Sequence, residues 1–423
     1  MKGLRAMASH RDSPSPDGTP SPEAGPSAQQ ALRHPASRLA LPPTRRTLLQ
    51  ALGLATLGPW SALPLSVHAA KARAAAGAPP STTTRPGPAL VFPRDAGAHT
   101  DFRTEWWYIT GQAGVAGRPA AYGFQLTFFR SRVEAAQSLR SGLAARQLLF
   151  AHAALTDVQG QKLWHDQRIA RWSGDAPGSN PADVASASST DTAITLKDWS
   201  LQRTGADLRA RISAGSFALD LQFVATQEVL LQGQGGISRK GPDPRQMSYY
   251  YSLPQLQAQG SIELQGRRIP LEASSRAWLD HEWSDELLHP SAVGWDWIGI
   301  NLDDGSALTA FRLRDRKGDT LWDGGSFRSG KTLYTFSRGE VIFQALRAWK
   351  SPLSRASYPV EWMVRTPADY YTVRAVVDNQ ELDSTQSTGA IYWEGLCEVW
   401  NSNGQRVGRG YLEMTGYASP LRL

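Results

Sequence analysis

Apolar residues in this chain recur with a period of two. Tyr122, Phe124, Leu126 and Phe128 alternate with Gly123, Gln125 and Thr127, while Leu208, Ala210 and Ile212 alternate with Arg209, Arg211 and Ser213. Leu219, Leu221 and Phe223 repeat the pattern around Asp220 and Gln222. Successive side chains of a β-strand point to opposite faces, so each run reads as a strand with one face in a core. Turn signals separate the runs, among them Asp303-Asp304-Gly305, Arg316-Lys317-Gly318 and the stretch Asn401 to Gly404. No long segment carries the 3.6-residue period of an amphipathic helix. The expectation is an all-β chain whose even strand spacing favours barrels or a barrel-like sandwich. Two polar, glycine-containing excursions interrupt it, Ser173 to Thr192 and Gln234 to Gln246, the second leading into Tyr249-Tyr250-Tyr251.

The first residues read differently. Met1 to Pro43 is rich in Pro, Ser and Ala, and Thr44-Arg45-Arg46-Thr47-Leu48-Leu49-Gln50 follows as a twin-arginine start. The apolar stretch Leu48 to Val67 is broken by Gly53, Gly58, Pro59 and Pro64, which suits a cleaved signal better than a membrane span. Residues 1–72 are therefore expected to be a leader and signal peptide, giving a periplasmic or secreted protein whose first partner is the twin-arginine export machinery. The roughly 335 residues from position 88 onward are long enough for two domains, placed at 88–285 and 286–423. A single cysteine, Cys397, forms no internal disulfide, so the fold must rest on its core.

Composition narrows the chemistry. The formal charge is +7, but residues 1–70 hold seven Lys or Arg against three Asp or Glu, which leaves about +3 for the remainder and no clustered basic patch. A nucleic-acid partner is not indicated. Outside the leader, His99, His152, His165, His281 and His289 show no spacing typical of a zinc site. No Gly-x-Ser-x-Gly is present, and no cofactor and no metal are expected.

The densest chemistry lies between Trp278 and Gly305, twenty-eight residues with four tryptophans and two histidines. On a strand, Leu279, His281 and Trp283 share one face, taken as the inner one, while Trp278, Asp280 and Glu282 share the other. Asp296 falls in register with Ile298, Ile300 and Leu302 and is thus offered to an apolar interior, where burial raises a carboxyl toward proton donation near neutral pH. A regular strand cannot turn Asp296 and its neighbours Trp295 and Trp297 toward one cavity. Elsewhere, Glu105 shares a face with Trp107 and is expected to pair with Arg130; His152 shares a face with Phe150 and Ala154; Tyr250 is a candidate for a pocket mouth. Core filling, ion pairing and rim plugging are the plainer alternatives for these residues.

Taken together, several blocks resemble the carotenoid 1,2-hydratase (hydroxyneurosporene synthase) and AttH-like family. They include Glu105-Trp106-Trp107-Tyr108-Ile109-Thr110-Gly111, Ala151-His152-Ala153-Ala154-Leu155-Thr156-Asp157, Asp280-His281-Glu282-Trp283, Trp295-Asp296-Trp297, Tyr392-Trp393-Glu394-Gly395 and Gly410 to Tyr417. The resemblance implies two lipocalin-like antiparallel barrels. It also implies a hydro-lyase that adds water to a C=C bond of an isoprenoid or similar apolar substrate, drawn in some cases from a membrane. Such chemistry needs an acid, aromatic faces for the cation and a positioned water. Asp296 is the expected acid, Trp283 with Trp295 or Trp297 the cation-stabilising wall, and His281 the base or orienter of the water. Trp107, Tyr250, Glu105 and His152 complete the expected binding set. A non-catalytic carrier of apolar ligands and a secreted hydrolase are the competing functions.

Overall fold

A computed structural model describes residues 89–174, 184–286 and 288–421. The expected leader and signal peptide lie outside the described residues. Fourteen strands precede residue 285: β1 (Thr104–Val115), β2 (Arg118–Arg132), β3 (Gln147–Asp157), β4 (Lys162–Trp172), β5 (Ala185–Ala187), β6 (Ala193–Leu196), β7 (Trp199–Thr204), β8 (Asp207–Ser213), β9 (Phe217–Val224), β10 (Leu230–Leu231), β11 (Ile237–Arg239), β12 (Met247–Leu264), β13 (Arg267–Pro270) and β14 (Arg276–Ser284). Ten follow: β15 (Gly294–Leu302), β16 (Ala307–Arg314), β17 (Thr320–Ser329), β18 (Thr332–Phe336), β19 (Ile342–Lys350), β20 (Ser357–Arg365), β21 (Tyr370–Ala375), β22 (Glu381–Ser384), β23 (Ala390–Trp400) and β24 (Arg406–Met414). The only helical elements among the described residues are two 3-10 turns of three residues each.

The strands form two antiparallel sheets. The first runs β4-β3-β2-β1-β14-β12-β9-β8-β7-β6-β5, and its ends β4 and β5 come together to make a nearly closed barrel. The second runs β18-β17-β16-β15-β24-β23-β21-β20-β19. The chain thus has the all-β, lipocalin-like architecture, with one sheet ending at Ser284 and the next starting at Gly294.

Alternation assigns each strand's faces. Ile109, Phe124, Leu126, Leu155, Leu221 and Leu279 fill the first barrel; Ile298, Ile300, Leu308, Trp393, Val399 and Leu412 fill the second. A third core lies between the barrels, built from the opposite faces of the same strands: Tyr108, Trp278, Trp297, Phe311, Leu396 and Tyr411. Strands β1, β14, β15, β23 and β24 are therefore buried on both sides. The close approach explains Gly123, since a Cβ there would stand 2.7 Å from the Tyr411 hydroxyl and 2.8 Å from Leu396.

Asp296 points into the second barrel, as its register with Ile298 dictates, and is fully buried. It is not an isolated acid there. Oδ2 accepts from Nε of Arg312 at 2.7 Å and lies 2.9 Å from Nε of Arg314, while Oδ1 accepts from the Tyr417 hydroxyl at 2.8 Å. The two guanidiniums and the hydroxyl make it a brace between β15 and β16. Removing one side of such a buried cluster costs about 3–5 kcal/mol. Asp296→Asn is accordingly expected to lower stability by about that amount in urea denaturation; an unchanged midpoint would show that the cluster does not hold the barrel.

Candidate functional site

Where the two barrels meet, the strands with two buried faces enclose a cavity of about 330 Å³. From the first barrel, β1 and β14 contribute Trp106, Tyr108, Asp280 and Glu282. From the second, β15, β23 and β24 contribute Trp295, Trp297, Glu394 and Glu413. One end is apolar, with Phe129, Leu148, Phe150, Ile169 and Ile391. A cavity of this size lies at the lower end of the range for small-molecule sites, roughly 300–1,000 Å³.

Its polar end is unusually rich in carboxyls. Asp280 accepts hydrogen bonds from the Tyr250 hydroxyl at 2.7 Å, the Ser252 hydroxyl at 2.5 Å and the Trp278 indole at 2.6 Å. Burial outweighs these donors, and with Glu282 nearby it pushes the carboxyl up to about 7. Glu394 and Glu413 sit directly opposite each other across the β23–β24 ladder. Burial pushes Glu413 up to about 8 despite the Trp295 indole, with the negative charges of Asp280 and Glu282 adding to the shift. Burial and the Glu413 charge raise Glu394 well above the carboxylate range. Tyr108 faces Glu394 and opposes that rise, yet neither its hydroxyl nor Oε1 of Glu394 completes a hydrogen bond of ordinary geometry. Glu282 is paired with Lys240 at 2.9 Å and bonded by the Ser248 hydroxyl. The lysine in turn lies 4.2 Å over the Phe311 ring and 5.0 Å over Tyr250. This wall therefore carries protonated carboxyls near neutral pH, because charging them together in a desolvated space is unfavourable.

Aromatic side chains frame those carboxyls. Trp297 stands edge-on to Tyr108 with ring centres 5.4 Å apart, and its indole donates to the Tyr250 hydroxyl at 3.2 Å. At the other end His152 bonds the Tyr392 hydroxyl through Nδ1 and the Ser387 hydroxyl through Nε2, each at 2.8 Å. Burial, reinforced by His165, lowers its imidazole to about 3, so it stays neutral. These bonds join the two barrels.

Four residues expected from the sequence, Trp295, Trp297, Tyr250 and His152, line this cavity; five others do not. Asp296 belongs to the interior of the second barrel. His281, Trp283, Trp107 and Glu105 belong to the first, because alternation sends them to the face opposite Asp280, Glu282 and Trp106. There Glu105 pairs with Arg130, Nε to Oε2 at 2.7 Å, while Oε1 accepts from His281 Nε2 at 2.9 Å and His99 Nδ1 at 2.7 Å. Burial would raise Glu105, but the two histidines and Arg130 outweigh it and hold the carboxyl well below its usual range. His281 is lowered to about 4 by burial, in spite of Glu105. Sequence reading missed Asp280, Glu394, Glu413, Lys240 and Tyr108 as site residues. The available signal was a glutamate or aspartate interrupting a strand that is apolar on both faces, as in Tyr392-Trp393-Glu394.

Asp280 and Glu413 bind protons in the folded protein that the unfolded chain releases, so their contribution is largest in acid and declines as pH rises from about 4 to about 8. In urea denaturation the stability difference between wild type and Asp280→Asn is expected to shrink or reverse from pH 5 to pH 8. A difference independent of pH would sink the protonated-acid assignment.

A sequence profile of the family described as AttH-like matches residues 83–417. Among solved structures, a putative AttH from Nitrosomonas europaea is 43% identical, with a TM-score of 0.71 over 79% of this chain and 98% of its own. Kievitone hydratase from Nectria haematococca is 14% identical, with a TM-score of 0.58 over 78% of this chain and 94% of its own, a likeness of fold. A search of curated proteins gives no match. Because the profile runs through both sheets and every strand that walls the cavity, the chain belongs to the AttH-like family.

Proposed function

We propose that this protein adds water to a C=C bond of an isoprenoid or similarly apolar alkene held between its barrels. The observation that carries the reading is Asp280, a buried carboxyl titrating near 7 in a cavity walled by tryptophan and tyrosine. Asp280 donates its proton to one alkene carbon. The carboxylate it leaves is already met by three donors, Tyr250, Ser252 and Trp278, so charge developing in the transition state is stabilised without reorganisation. The adjacent carbon becomes cationic, and the aromatic faces of Trp297 and Tyr108 stabilise it, by about 0.5–2 kcal/mol per ring when water is excluded. The unpaired Tyr108 hydroxyl and Oε1 of Glu394 offer a donor and an acceptor to the attacking water. Its oxygen bonds the cationic carbon, and its spare proton returns through solvent to the carboxylate that Asp280 became. The fold shared with kievitone hydratase supports this reading.

The cavity volume bears on the substrate. A long polyene places only its end group at the carboxyls, with the remainder outside. The proposal includes export through the Arg45-Arg46 signal, which brings the site to the periplasmic face of a membrane that supplies apolar alkenes.

Incubation with acyclic carotenoids and shorter isoprenoid alkenes in detergent, followed by mass spectrometry, is expected to give products heavier by one water. The rate should fall as pH rises through about 7. Asp280→Asn should lower kcat by about a hundredfold or more while the folded protein still binds substrate. Saturable binding with no product from the wild type would replace the hydro-lyase with a carrier of apolar ligands.

A further inference from the structure

We propose that His99, Glu105 and His281 form a binding site for a divalent first-row transition-metal ion of the zinc class, fastening the N-terminal segment across the first barrel. The three come from separate parts of the chain: His99 from the segment before β1, Glu105 from the start of β1, and His281 from β14. His99 Nδ1, Glu105 Oε1 and His281 Nε2 lie within 4.8 Å of one another. Oε1 stands 2.7 Å from one nitrogen and 2.9 Å from the other. Neighbouring donors on an ion with bonds of about 2.0–2.2 Å are roughly 3 Å apart, the spacing Oε1 already keeps to both nitrogens, so binding requires the two nitrogens to close on each other from within 4.8 Å. Two imidazoles and a carboxylate with a remaining open position suit zinc or ferrous iron.

The surroundings support the donors as they do in metal sites, where each ligand's far side is held by a second partner. His99 Nε2 meets Asp95 Oδ1 at 3.1 Å, His281 Nδ1 meets the Tyr251 hydroxyl at 3.2 Å, and Glu105 Oε2 is held by Arg130. Stacking fixes both rings. His99 lies on Trp283 with centres 3.7 Å apart and planes 7° from parallel, and His281 lies on Trp107 at 4.5 Å. The ion takes the place of the protons that Oε1 otherwise accepts. His99 carries its proton on Nε2, directed at Asp95, and His281 carries its proton on Nδ1, directed at Tyr251. His99 alone of the three is part-exposed, with 11% of its side chain accessible, so the ion enters along its edge. This site faces the inside of the first barrel, away from the Asp280 cavity, and does not depend on the proposed hydration.

The test is titration of the full, untagged, chelator-stripped protein with Zn²⁺ by calorimetry and with Co²⁺ by visible absorption. The expected result is one tight equivalent, cobalt bands of a nitrogen–oxygen site, and a raised Tm, with His99→Gln weakening binding at least about tenfold and His165→Gln leaving it unchanged. The part-exposed His99 makes its variant the one expected to fold, and the cobalt spectrum of the wild type reports independently of any variant. Absence of saturable binding, or equal binding by wild type and His99→Gln, would overturn the site and leave a hydrogen-bonded brace.

Discussion

Everything functional in this molecule follows from burying both faces of the same strands. A strand at a barrel's surface normally offers one face to water; here β1, β14, β15, β23 and β24 turn their outer faces to each other and seal a third core. Period-two alternation then divides the work. Leu279, His281 and Trp283 stabilise the first barrel from inside, and one residue away Trp278, Asp280 and Glu282 face the second barrel. A shift by one residue would exchange the two sets, so the pairing of β14 with β1 and β12 fixes which carboxyl meets the cavity.

The two barrel interiors and the cavity solve the problem of buried charge differently. Inside the barrels Glu105 and Asp296 are each met by arginine: Arg130, with two histidines as further donors, on Glu105, and Arg312 and Arg314 on Asp296. Between the barrels, Asp280, Glu394 and Glu413 have hydroxyl, indole or carboxyl neighbours, and Lys240 is committed to Glu282. Paired carboxylates hold structure together because their ionised form is the stable one. Carboxyls short of cations keep protons, and a retained proton is what an acid catalyst gives away.

The fold was legible in the sequence because strands such as β8 and β9, with one face toward solvent, alternate cleanly. The faces of β14 and β15 were legible too: Asp296 with Ile298, and His281 opposite Asp280, follow from counting by two. What counting could not supply is which face meets a ligand. Choosing the inner face selected Asp296, His281 and Trp283, when the cavity lies outside both barrels. Glu394 and Glu413 gain their place in the site only where the other barrel covers them. That covering comes from contacts far apart in sequence, such as Gly123 against Leu396 and His152 against Tyr392. Trp295, Trp297 and Tyr250 were found because large aromatics beside a domain junction mark a pocket whichever face they take.

In the proposed hydration, substrate itself completes the acid. An apolar chain entering the cavity displaces water from around Asp280, Glu394 and Glu413, and desolvation disfavours their charged forms further. Burial already has Asp280 near 7, so the protonated fraction at neutral pH rises on binding instead of falling. A polar or anionic ligand would act in the opposite sense, bringing its own water or meeting the carboxyls with repulsion. On the proposed reading, the electrostatics that make Asp280 a donor also select the class of molecule it would protonate, and the three donors on its oxygens would keep that proton from being held too tightly to transfer.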